Sequence, residues 1–83
     1  MTANFTDLEI TVLGNLKNIL EETEMVALAD LIQGDDNPKQ MRGAIASLVK
    51  KGVIDIDYDY PSNINGTKHY WVTWWDEKAL EVA

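Results

Sequence analysis

The chain has 83 residues, 46% of them hydrophobic and none of them cysteine. It can therefore form one domain over residues 1–83 with an apolar core, but no disulfide framework, thiolate metal site or cysteine nucleophile. Fourteen acids against seven lysines and arginines give a net charge of -7, which argues against indiscriminate binding of polyanions.

Thr6 is suited to cap a first helix, and Glu9, three residues on, completes a capping box. Phe5 and Ile10 stand where a hydrophobic staple would form. Leu8, Val12, Leu16 and Ile19 share one helical face, with Leu13 and Leu20 beside it. Glu9 falls on that apolar side, where only its capping role accounts for it. The helix is expected to end near residues 21–23, and residues 24–26 form a bridge that can add one small strand. Residues 26–33 then read as a two-turn helix with Leu28, Leu31 and Ile32 inward, closed by Gly34 in the left-handed conformation. Asp35 and Asp36 precede a third helix, whose amino end they favour electrostatically. Asn37 caps that helix and Pro38 takes its first position. Met41, Ala44, Ile45, Leu48 and Val49 form its buried face, and Gly52 ends it.

From Ile54 the period changes to two. Ile54, Ile56, Tyr58 and Tyr60 alternate with Asp55, Asp57 and Asp59, the pattern of a half-buried strand. Residues 61–66 supply a turn region in which Asn65-Gly66 is the strongest signal. Residues 67–75 form a second strand, with Tyr70, Val72 and Trp74 on one face and Trp71 and Trp75 on the other. A short tail follows, in which Leu80 and Val82 are placed to cover the tryptophans.

The charge is unevenly divided along the chain. Residues 37–52 hold Lys39, Arg42, Lys50 and Lys51 and no acid, a charge of +4, whereas the remainder carries -11. On the third helix, the face opposite the buried residues presents Lys39, Gly43, Ala46, Ser47 and Lys50. Gln40 and Lys51 flank it on one side and Arg42 on the other. Exposed lysines on a helix are ordinarily solvent contacts, and Lys50 and Lys51 also complement the carboxyl end of the helix dipole. The absence of acids in so acidic a chain tilts the reading towards a functional face.

Elsewhere the chemistry is sparse. His69 has no second histidine or cysteine to join it in a metal site. Asp55, Asp57 and Asp59 on one strand face lie about 7 Å apart, too spread for a calcium cage, and suit a charged face that discourages edge pairing. With no nucleophile–base pair and no phosphate-binding loop, neither an enzyme nor a cofactor is expected. No apolar run is long enough to span a bilayer and no basic leader precedes an apolar segment, so no membrane association and a cytoplasmic location are expected.

The order helix, helix, tight turn, helix, hairpin, together with Leu48-Val49-Lys50-Lys51-Gly52-Val53-Ile54, resembles the winged helix-turn-helix domain of MarR-type transcriptional regulators. The resemblance extends from Thr6 to Trp75 and implies an α+β fold, a three-helix bundle with a carboxyl-terminal hairpin wing. It also implies binding of double-stranded DNA, with the third helix in the major groove and the wing against the backbone or minor groove. Carried over by position, the nucleic-acid-binding residues would be Lys39, Gln40, Arg42, Gly43, Ser47 and Lys50, with Lys68 near the wing tip. Lysine and arginine would neutralise phosphates or read guanine, Gln40 could read adenine, and the small residues would let the helix backbone approach closely. The wing departs from this pattern, because its tip offers one lysine and the strand leading to it three aspartates. That departure supports a second class of function, an interaction module that binds a protein partner or mimics DNA through Asp55, Asp57, Asp59, Trp71 and Trp75. Salt-dependent binding of a duplex discriminates the two.

Overall fold

A computed structural model describes residues 5–34 and 36–82, so Asp35 lies outside the described residues. The elements in chain order are α1 (Asp7–Leu20), a 3-10 helix (Leu28–Leu31), α2 (Pro38–Lys50), β1 (Ile54–Ile64), β2 (Thr67–Trp75) and α3 (Glu77–Leu80). The fold is α+β, and the described residues form three α-helices and a two-stranded antiparallel sheet.

The start of α1 follows its sequence signal. The Thr6 hydroxyl accepts from the Glu9 amide at 3.1 Å, and the Thr6 amide donates to Glu9 Oε1 at 2.8 Å. Val12, Leu13 and Leu16 are buried, while Leu8, at the first turn, is exposed. Asn37 likewise caps α2, its Oδ1 accepting from the amides of Lys39 and Gln40 at 3.1 and 3.2 Å. Met41, Ala44, Ile45 and Leu48 are buried beneath it, with Val49 packed at the edge.

The expected two-turn helix over residues 26–33 is a single 3-10 turn. The reason is a competing use of its first residues. Val26 and Ala27 are extended and attached to the sheet, for Val26 accepts from the Val72 amide at 2.8 Å and Ala27 forms an isolated bridge with Trp71. Asp30 then closes the turn by accepting from the Ala27 amide at 3.1 Å. The small extra strand thus arises one residue later than the sequence indicated. Leu31 is buried, Leu28 and Ile32 pack against the core, and Gly34 is left-handed at φ +55°.

The hairpin turns at Asn65 and Gly66, both at positive φ (52° and 80°), as a two-residue turn between right-twisted strands requires. Residues 61–64, expected in the turn region, belong instead to β1. Two irregularities of register reshape both strands. Asp55 pairs with Trp74 but Ile56 with Val72, which leaves Thr73 as an extra residue on β2. Asp57 pairs with Trp71 but Ser62 with His69, so residues 58–61 bulge from β1 opposite Tyr70 alone. Asp57 folds this larger bulge, its Oδ1 accepting from the amides of Asp59 and Tyr60 at 3.0 and 3.2 Å.

Because side chains alternate along a strand, one extra residue exchanges the faces beyond it. Val72 and Trp75 therefore face the core together, and Trp74 turns outward with 51% of its surface exposed. The expected grouping of Tyr70, Val72 and Trp74 is corrected to Tyr70, Val72 and Trp75. The alternation of β1 also stops early, since Ile54 and Ile56 are buried while Tyr58 and Tyr60 are exposed. Ile54, Ile56 and Val72 close one apolar cluster over α1 and α2, and Ala79 and Leu80 of α3 seal its end. Leu80 thus serves as the tail's cover, whereas Val82 is exposed. Among the described residues no helix is long and apolar enough to cross a membrane.

Candidate nucleic-acid interface

The outward side of α2 carries Lys39, Gln40, Arg42, Gly43, Ala46 and Lys50, all exposed. Steps of three and four residues set Lys39, Arg42 or Gly43, Ala46 and Lys50 along one stripe of a helix about 20 Å long. Cations occupy both ends of the stripe, and its middle is flat. A Cβ built on Gly43 would meet nothing within 4 Å, so nothing in the fold itself requires glycine there.

Ser47 does not belong to this stripe. Its hydroxyl is turned inward and donates to Glu9 Oε2 at 2.9 Å. Lys51 turns the same way, donating to Glu9 Oε1 at 2.8 Å while its ammonium lies 5.3 Å from the centre of the Phe5 ring. Of the four cations in residues 37–52, Lys39, Arg42 and Lys50 are the ones on the open face.

Glu9 is the unexpected residue of the site. It is 1% exposed, and burial alone would raise its pKa. The hydrogen bonds from Lys51, the Thr6 amide and Ser47 outweigh that burial and lower the pKa from 4.5 to about 2. The buried carboxylate is therefore charged and fully engaged, and it fastens the last turn of α2 to the first turn of α1. The other end of α2 is held by Asn15, whose Nδ2 donates to the Leu31 carbonyl at 2.9 Å and to Asp36 Oδ2 at 3.2 Å. Asp36, expected to act on the helix dipole, also accepts from the Gln33 amide at 3.1 Å and so orders the loop before α2. Asn15 carries no local signal of its contacts in the sequence, and the capping box accounts for only half of the role of Glu9. The available signal was a charged residue on an apolar face, and the partners of that charge are remote in the chain.

The hairpin residues fall into separate groups. Lys68 is exposed and pairs with Asn63 near the turn, at the end of the hairpin remote from Ile54. Asp55 and Asp59 are exposed, but the bulge interrupts the expected row, and Asp57 is half-buried and committed to the backbone of the bulge. Trp71 and Trp75, expected on one face, lie on opposite faces of the sheet. Trp75 packs against the core, whereas the Trp71 indole N–H donates to the Ser62 hydroxyl at 2.7 Å and its ring stacks on His69. Comparison with protein-family models, with curated proteins and with solved structures finds no match to this chain.

Proposed function

We propose that this chain is a winged-helix domain of the transcriptional-regulator type that binds double-stranded DNA through α2. The observation that carries the reading is the acid-free outward stripe of Lys39, Arg42, Gly43, Ala46 and Lys50 in a chain of net charge -7. The chain order supports it too: a helix, an extended pair at residues 26–27 joined to β2, a short helix, α2 and a hairpin. A helix of ordinary diameter fits a major groove about 12 Å wide. In that pose Lys39 and Lys50, at opposite ends of α2, reach phosphates on either side of the groove, while Gln40 and Arg42 address base edges. Gly43 and Ala46 leave the middle of the helix free to approach the base pairs.

The wing is a minor contributor in this scheme. Lys68 can reach a phosphate, but Asp55 and Asp59 oppose a duplex brought within a Debye length of about 8 Å. Fluorescence anisotropy of a labelled duplex titrated with the protein at low and moderate salt tests the reading. Affinity is expected to weaken as salt rises, and a Lys39→Glu, Arg42→Glu double variant is expected to lose at least about tenfold. Absence of binding at low salt, or a double variant that binds as well as the parent, overturns it.

A further inference from the structure

The sheet has a second face that the α2 reading does not use. Register places Asp55, Asp57, Ser62 and Ile64 of β1 with Thr67, His69, Trp71 and Trp74 of β2 on the side away from the core, and none of them is buried. Three rings follow one another along β2 on this side. His69 stacks on Trp71 with ring centres 6.3 Å apart, and Trp74 comes next beyond the Thr73 bulge. The Trp71 N–H is spent on Ser62, so what that ring offers outward is its π surface. Carboxylates border the rings: Asp55 is opposite Trp74, Asp57 is opposite Trp71, and Asp76 and Glu77 share a concavity with Trp74. Two shallow concavities meet at Thr73, one lined by Asp55, Asp57 and Asp59 and the other by Trp74, Asp76, Glu77 and Lys78, so acids outnumber the one cation there.

We infer that this outer sheet face docks a lysine- or arginine-bearing segment of another protein. A cation over an indole is attracted by the ring's quadrupole, and the adjoining carboxylates complete the match by pairing with the same cation. Trp74 is exposed and Trp71 half-buried beside it, and an exposed aromatic side chain of this size is the kind of residue that anchors an interface. Nucleic-acid bases could stack on the same rings, but their phosphates would then lie against Asp55 and Asp57. Addition of a strand to the free edge of β1 is opposed by the bulge at residues 58–61 and by Pro61, which has no amide proton to give. The partner therefore lies across the face and brings positive charge to it.

The test is a heteronuclear NMR titration of the full chain with a ten-residue peptide alternating arginine and valine, in the absence of DNA. Its outcome is thus independent of whether α2 binds a duplex. The indole N–H signals of Trp71 and Trp74 and the amides of Asp55 and Asp57 are expected to move, while those of Lys39, Arg42 and Gly43 stay fixed. Trp74→Ala is expected to weaken the peptide by about tenfold, and Asp55→Asn by a few-fold. If Trp74→Ala disturbs the hairpin, Asp55→Lys at an exposed position reads the same loss. Shifts spread over Asp7 and the other acids remote from this face, or movement of the same indoles by a thymidine decanucleotide, would each overturn the inference. So would concentration-dependent movement of these signals without peptide, which would make a second copy of this chain the occupant.

Discussion

α2 and the hairpin are both amphipathic, yet they are held and charged in contrary ways. α2 is fastened by side chains distant in sequence, Glu9 at its last turn and Asn15 at the loop before its first, and its outward side is left without an acid. The hairpin is shaped by its neighbours in sequence, an Asn65-Gly66 turn and an Asp57-folded bulge, and its outward side carries acids and aromatic rings. A net charge of -7 describes neither surface. Where charge is placed decides what each surface can meet, and total charge sets only the background.

The contrast can be broken first at Glu9. Glu9→Gln keeps the shape of the side chain but removes the charge that Lys51 and Ser47 satisfy, and it is expected to cost about 2 to 3 kcal/mol in urea unfolding. The acid limb should change as well. A carboxyl whose pKa is about 2 when folded, against 4.5 as its ordinary value, stabilises fully above about pH 4.5 and loses that contribution as pH falls towards 2. The loss is at most about 3 kcal/mol, because Lys51 is partly in water. Glu9→Gln should flatten stability between those pH values, and an unchanged acid limb would remove Glu9 from its assigned role.

The two faces of the sheet are separated by a pair of tryptophans. Trp75→Ala is expected to cost about 2 kcal/mol and Trp74→Ala less than about 1 kcal/mol in the same urea titration. The reverse order would show that the Thr73 bulge does not set the faces as described. Salt sharpens the other side of the comparison. If Lys39 and Lys50 are the phosphate contacts, log affinity for a duplex should fall against log salt with a slope of about -2. A Lys68→Ala variant that makes the slope shallower by about one would bring the wing into the complex. The smallest effect is at Gly43. Gly43→Ala should stabilise the chain by up to about 1 kcal/mol, read as a rise in melting temperature, since space for the methyl group is open. A few-fold loss of duplex affinity in the same variant would assign the position to close backbone approach, and unchanged affinity would deny it that role.

What could be read in the sequence was what local chemistry decides. The Thr6–Glu9 box, the Asn37 cap before Pro38 and the Asn65-Gly66 turn each depend on residues within three positions, and each forms. The buried face of α2 was legible for the same reason, since helical spacing fixes it. Three features were not legible because their causes are remote. Residues 26 and 27 are drawn from a helix into the sheet by Val72 and Trp71, more than forty positions on. The two bulges appear only when β1 and β2 are laid together, so Trp74 and Trp75 could not be sorted from either strand alone. Ser47 stood on the exposed side by helical angle, and the carboxylate that draws it inward comes from the first helix. For the candidate interface, Lys39, Gln40, Arg42, Gly43, Lys50 and Lys68 stand exposed as spacing indicated, and Ser47 alone among them turns away.

The Glu9 clamp also ties together two parts of the chain that are made at different times. The oxygen acceptors belong to a residue made early, but Ser47 and Lys51 are added 38 and 42 positions later. Until both have emerged, docking the apolar side of α1 would bury a carboxylate with only its own capping contacts, at a cost of several kcal/mol. A growing chain shorter than 51 residues thus has reason to keep that side of α1 in water. Docking of α1 and completion of the last turn of α2 are thereby coupled in stability, since each meets the other's requirement at Glu9.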